Sequence, residues 1–275
     1  MTLKGLYRYF FEHFNFWLIL SLCLIGNLIL SYIFCGGISP YWIAVATLWN
    51  ILQFLLLRIG DDYKDQKTDN QLYKTRPIQS KVVTFKSLKY LYLGLLLVYI
   101  FLSKEILLEK YFWLSMLVFF GGYFLIFKDY FIPNLRKNFL LYNFLSAINI
   151  PLIVFATYLI WYSNWPTLNF TLLLKHFLVA ALGSLLLELV RKGDRKTEDG
   201  YLQHMPLHAY IGLVCACNLI MSLALGFWGS LAALPILFLN YYLATNSSWR
   251  LFKLANFTYY LTIYISLLYA IYNGI

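Results

Sequence analysis

The sequence predicts an all-α, polytopic membrane protein with nine transmembrane helices. Three observations predict it: the composition, the spacing of the apolar runs and the distribution of basic residues. Of 275 residues, 61% are hydrophobic, 20% aromatic and only 12% charged. A soluble domain is about half apolar and a quarter charged. A chain this apolar has more greasy surface than its own core can take, so lipid is the expected solvent. Continuous apolar stretches of about 20 residues then cross the bilayer as helices, because a helix pairs its own backbone polar groups. Alternating strands of a β-barrel are not the pattern here.

The apolar segments run roughly 14–35, 41–57, 88–103, 111–127, 139–161, 171–190, 208–227, 229–245 and 254–273. The first, from Phe14 to Phe34, has no small-residue cleavage site behind it and reads as a spanning helix, not a signal peptide. Pro151 falls inside the fifth and would kink it. "GFWGS" between the seventh and eighth leaves room for a tight turn. The four cysteines (Cys23, Cys35, Cys215, Cys217) all lie in apolar runs and read as small lipid- or core-facing residues. One domain, residues 1–275, is expected.

The basic residues fix the orientation. With the N-terminus cytoplasmic, 19 of the 22 Lys and Arg fall on the cytoplasmic side, and only Lys104, Lys110 and Lys175 fall opposite. That asymmetry is the positive-inside pattern and supports nine crossings, with the C-terminus on the far side. The net charge of +10 is thereby explained as topology. It suits anionic lipids or an anionic substrate, and no nucleic-acid partner is expected. Without an organelle transit peptide, a bacterial inner membrane is the expected location.

Eight of the twelve acidic residues lie in two short segments. One is "RIGDDYKDQKTDNQLYKTRPIQS" (58–80), with Asp61, Asp62, Asp65 and Asp69. The other is "ELVRKGDRKTED" (188–199), with Glu188, Asp194, Glu198 and Asp199. Both follow apolar segments on the cytoplasmic side. The plain reading is a pair of polar loops whose acids pair with neighbouring Lys and Arg. The functional reading starts from helical geometry. Asp61, Asp65 and Asp69 advance about 40° per step and stay on one face, as do Glu188, Lys192, Arg195 and Asp199. Crowded carboxylates repel unless a cation intervenes. Hard oxygen ligands suit Mg²⁺, which shares its sphere with substrate phosphates. Two such clusters would clamp a diphosphate, with nearby Arg and Lys neutralising the remainder. An apolar tail on that diphosphate would make it a polyprenyl diphosphate.

"DDYKDQKTD" resembles the N-D-x-x-D-x-x-x-D motif of the UbiA superfamily of intramembrane prenyltransferases, with Asp61 in the Asn position. "RPIQS", from Arg76, is similar to the Arg-Pro-x-x-Ser segment that follows it. Helix count, length and the acid segments after the second and sixth helices match too, so the resemblance covers the whole chain. It implies a nine-helix bundle around a central cavity open to lipid. It also implies Mg²⁺-dependent ionisation of a prenyl diphosphate and capture of the allylic cation by an aromatic or other hydrophobic acceptor. Carried over by position, Asp62, Asp65 and Asp69 would be metal ligands. Arg76 would touch the diphosphate or brace its loop. Tyr123 and Lys128, in "YFLIFK", resemble a Tyr and Lys at the end of the fourth helix, with Lys128 a diphosphate contact. The second motif departs: Glu188 stands in an acid position and Arg191 where an Asp is usual. This E-x-x-R-K form resembles a divergent branch, in which Arg191, Lys192 and Arg195 would contact the phosphates directly.

Single residues weigh less. Most aromatic residues are packing or interface residues. Polar residues inside membrane helices mark function or helix–helix contact. Asn50, two turns before Arg58, is a candidate cavity residue, and Arg58 joins it. Asn143, Asn149 and Asn218 serve equally as helix contacts. His204 and His208 are read as solvated loop residues. Two other functions stay open beside prenyl transfer. One is a UbiA-type terpene cyclase that needs no acceptor. The other is a non-catalytic lipid-binding or transport protein, which the one-sided clustering of charge disfavours.

Overall fold

The structure, a computed structural model, describes residues 3–14, 16–66, 69–70, 74–127, 131–132, 135, 138, 141–142, 145, 149–165, 170–193, 200–246 and 248–272. Every regular element among them is helical. A short helix α1 (Leu3–Tyr7) runs into a π-helical stretch, Arg8–His13. Then come α2 (Phe16–Cys35), α3 (Pro40–Lys64), α4 (Phe85–Ile106), α5 (Glu109–Phe127) and α6 (Asn149–Asn164). They are followed by α7 (Phe170–Arg191), a 3₁₀ turn Tyr201–Gln203, α8 (Leu207–Leu223), α9 (Gly226–Thr245) and α10 (Trp249–Tyr272). Among the described residues, each of the nine predicted apolar segments coincides with one of the helices α2–α10. Four of them, α2, α3, α4 and α7, are long and apolar enough to cross a membrane. The chain has the build of an integral membrane protein.

Two expectations about boundaries change. The second segment does not stop at 57: helical hydrogen bonding carries α3 through Asp61 and Asp62 to Lys64. "GFWGS" is not the seventh connection but the start of α9. The turn is made at Ala224 and Leu225, whose amides reach back to Met221 and Ser222, and by Gly226 at φ +80°, a backbone angle that costs glycine little. Pro151 lies inside the described part of α6. Cys23 and Cys217 are buried, Cys35 and Cys215 half-buried, and all four are reduced.

The chain forms two compact units. The first comprises Met1–Ser31, Ile38–Lys128 and Ala156–Pro166; the second comprises Tyr32–Gly37, Asp129–Phe155 and Thr167–Ile275. In the first, α3 packs against α4 and α5. α3 is the inner helix, with 67% of its apolar window buried, whereas only 11% of the α4 window is. Leu93, Leu97, Val98 and Phe101 leave one side of α4 apolar and exposed, as a lipid-facing helix requires. Pro40 opens α3 in its first turn, where proline is tolerated. The Thr84 hydroxyl caps α4 by accepting from the Ser87 amide. Polar groups buried in this unit are joined across helices. Thr157 Oγ1 donates to Asn50 Oδ1 at 2.7 Å, Trp49 Nε1 to Ser103 Oγ at 2.7 Å and Gln53 Nε2 to Tyr99 Oη at 3.0 Å.

In the second unit, α8 packs on α7 and α9, and α10 on α7 and α9. Asn218 and Asn240 both donate to Asn256 Oδ1, at 2.8 and 3.1 Å. Asn256 Nδ2 returns a bond to Asn240 Oδ1 at 2.6 Å. This buried trio ties α8, α9 and α10, as polar side chains do where no water competes.

Candidate functional site

The acid-rich end of α3 is helical in register. The Asp65 amide donates to Asp61 O at 2.8 Å and the Asp69 amide to Asp65 O at 2.9 Å. α3 ends at Lys64 with Asp65 as its C-cap at φ -97°, ψ 9°, so Asp61 lies in the last helical turn and Asp65 at its close. Their side chains meet different surroundings.

Asp62 is buried, its side chain 1% exposed. Tyr9 Oη donates to its Oδ2 at 2.7 Å. His13 Nε2 lies 2.9 Å from Oδ1, and Arg58 Nη2 3.2 Å from the same oxygen. His13 Nε2 is also 2.8 Å from Arg58 Nη2. The tautomer decides that triangle: protonated Nε2 donates to Asp62, and bare Nε2 accepts from Arg58. In both, Asp62 keeps Tyr9 on one oxygen and Arg58 on the other. Burial first, and the adjacent Asp62 charge second, push the Tyr9 phenol well above the ordinary tyrosine range, so it stays a donor. The sequence reading named neither Tyr9 nor His13. Two ring residues four apart in a short N-terminal segment are a weak signal, and a partner about 50 residues away leaves no periodic trace.

Asp61, the neighbour of Asp62, makes no side-chain hydrogen bond among the described residues. It is half-buried. Asp69 is buried and held by Arg76 Nη1 at 2.5 Å. The pairing of acids with nearby bases is thus what the structure shows for Asp62 and Asp69. Arg76 begins a tight loop in which Val83 N donates to Pro77 O at 3.0 Å, and Ile78 and Val83 are buried.

Tyr123 reaches this end of α3 through a glycine. A Cβ built on Gly60 lands on the Tyr123 hydroxyl and ring, so only glycine lets α5 bring that phenol beside Asp61. Tyr92 of α4 shares a hydrogen bond with Tyr123. A glycine inside an acid-bearing helical segment was the legible signal of this close approach. Gly60→Ala is expected to cost about 1–3 kcal/mol by overpacking, measured as thermal stability in detergent. In a Tyr123→Ala background the further cost of Gly60→Ala should largely vanish, and an unaltered single variant would refute the contact.

Asn50 and Arg58, the candidate cavity residues, are bonded to Thr157 and to the His13–Asp62 pair. Lys128, Asp194, Arg195, Glu198 and Asp199 lie outside the described residues, as does Asn143. In the second unit, Glu188 accepts from Arg191 Nε at 2.9 Å and Nη2 at 2.8 Å. Lys192 Nζ lies 3.0 Å from its Oε1. With Arg191 60% exposed, this pair is worth little stability. Tyr201 N donates to Lys192 O at 2.8 Å. His204 and His208 are exposed, as expected, but His208 lies in the first turn of α8 and not in a loop.

No protein-family model matches the chain, and no curated protein matches its sequence significantly. Among solved structures, a digeranylgeranylglyceryl phosphate synthase in membranes matches with a TM-score of 0.58. The alignment covers 99% of each chain at 16% sequence identity. The chain has the fold of that synthase. At this identity the likeness speaks for the backbone arrangement.

Proposed function

We propose that this chain is a Mg²⁺-dependent prenyltransferase, moving a prenyl group from a prenyl diphosphate to an aromatic or other lipophilic acceptor. Residues 1–275 act as one domain, and all nine apolar helices span the membrane. The observation that carries the reading is an acid-rich α3 end on a fold that a digeranylgeranylglyceryl phosphate synthase shares nearly end to end. The product in that synthase's name carries two isoprenoid chains on a glyceryl phosphate, which is what prenyl transfer to a lipophilic acceptor would yield.

Mg²⁺ suits the residues present. Among the described residues, no three His, Cys, Asp or Glu side chains stand together to enclose an ion. Mg²⁺ does not require that, since it is typically held by one or two carboxylates together with substrate phosphates. Asp61, without a side-chain hydrogen bond among the described residues, would be one such carboxylate, and Asp65, four residues on at the end of α3, would be a second. Asp62 is held by Tyr9, His13 and Arg58, and Asp69 by Arg76. When bound, Mg²⁺ would neutralise the diphosphate and make it a better leaving group.

The rest of the chemistry falls to this chain and its substrates. The allylic C–O bond breaks, and diphosphate leaves with the electron pair. The acceptor's nucleophilic atom attacks the allylic carbon and then loses its proton. Arg76 braces Asp69 at the mouth of the loop. Tyr123, whose hydroxyl end lies at Gly60 beside Asp61, would be the aromatic residue nearest a developing cation.

The test is inorganic diphosphate release by the purified protein in detergent, given Mg²⁺ and prenyl diphosphates of several lengths. Release that requires an added lipid or aromatic acceptor, with the prenyl mass gained by it, is the expected result. Release with a cyclic hydrocarbon or alcohol and no acceptor would make the chain a cyclase. No release from folded protein under any condition would overturn the enzyme reading.

A further inference from the structure

We propose that the N-terminal segment is a working part of the acid site: Tyr9 and His13 are positioning residues that hold Asp62. They thereby fix the α3 end and the 74–83 loop in the geometry that metal and diphosphate need. The inference rests on the proposed function for its ligand, but its structural basis is independent of it.

Four observations converge on one short segment. The π-helical winding, in which Phe14 N donates to Tyr9 O five residues back at 3.0 Å, places Tyr9 and His13 together at Asp62. π-helical turns are rare and concentrate at functional sites. Tyr9 is fully buried in an apolar cluster with Ile59, Ile78, Val83 and Leu88. These residues come from the α3 end, the loop and the start of α4, so one phenol ring joins three elements. Its hydroxyl then reaches Asp62. Arg8 Nη2 donates to Thr75 O at 3.4 Å, a second tie from the same segment to the same loop. Asp62 thus has its carboxylate oxygens taken up by Tyr9, His13 and Arg58. The adjacent Asp61, kept in register by the same helix, makes no side-chain hydrogen bond among the described residues. The N-terminal segment works as a clasp: it occupies one carboxylate and aims the next.

The experiment compares the full-length protein with Tyr9→Phe, His13→Ala and His13→Gln in detergent. Backbone hydrogen exchange is followed, together with Mn²⁺ binding in the presence of inorganic diphosphate. Expected are faster exchange in peptides covering 58–66 and 74–83, with the second unit unchanged, and about tenfold weaker Mn²⁺ binding in His13→Ala. That is the scale for losing a partner that orients a metal-binding group. His13→Gln, whose amide can take the place of Nε2, should restore binding to near wild type. Unchanged exchange in both Tyr9→Phe and His13→Ala would overturn the clasp. Faster exchange with unaltered Mn²⁺ affinity would overturn the positioning role and leave a fold contact only. Failure of the wild-type protein to bind Mn²⁺ with diphosphate would instead overturn the proposed function, a separate and recognisable failure.

Discussion

Asp62→Ala should lower stability by about 3 kcal/mol, the low end of the range for breaking a buried ion pair. The low end applies because Arg58 keeps 30% of its side chain exposed and can turn its charge toward water. What is lost is concrete. The fully buried Tyr9 hydroxyl is left without an acceptor, which alone costs about 1–3 kcal/mol, and His13 loses its carboxylate neighbour. Cys23 and Cys217, both buried, make a thiol-reactive dye a direct reporter of unfolding in detergent. A variant melting with the wild type would show that the network contributes nothing. The Tyr9–Asp62 bond also sets a pH window. The folded-state pKa of Tyr9 is raised, so its contribution is complete below the ordinary tyrosine value of about 10. It declines as pH climbs above that value, because the unfolded chain ionises first.

Asp61→Ala, one residue away, should do the reverse. Asp61 makes no side-chain hydrogen bond among the described residues, and the charges around it are mixed, Arg58 and Lys64 against Asp65 and Asp62, so the fold is expected to lose little when its carboxylate goes. Diphosphate release should nevertheless fall by about 100-fold or more, the scale on which removing one stabiliser of developing charge acts. Asp61→Asn is the discriminating partner. It installs the amide found at this position of the resembled motif, and much of the activity should survive. The readout is Mg²⁺-dependent release of inorganic diphosphate by protein whose melting temperature has been checked first. Full activity in Asp61→Ala would remove Asp61 from the metal site. A collapse in stability would mean that the carboxylate is structural after all.

These two neighbours mark where the sequence stops being sufficient. The motif spacing puts both at the head of the acid segment and gives no reason to treat them differently. In the structure they diverge because successive side chains on a helix point about 100° apart. Asp62 faces Tyr9 and His13, while Asp61 faces the side where Gly60 admits Tyr123. The same geometry explains the placements of Arg76 and Glu188. Each was read as a candidate for diphosphate or metal, and each is found paired: Arg76 with Asp69, and Glu188 with Arg191 and Lys192. Loop bases and acids at helical or turn spacing find one another whether or not a ligand is near.

The sequence alone determined the membrane character, the apolar segments that are helical among the described residues, and the acid-rich end of α3. All three rest on local regularities: the hydrocarbon thickness fixes the length of apolar runs, and the 3.6-residue period fixes which acids share a face. The tertiary structure decided that Asp62 is held by Tyr9 and His13 from the N-terminal segment, and why residue 60 is glycine. Those outcomes depend on contacts between segments distant in the chain, such as Tyr9 with Asp62 and Tyr123 with Gly60. Such contacts arise from packing, which leaves no period in the sequence to read.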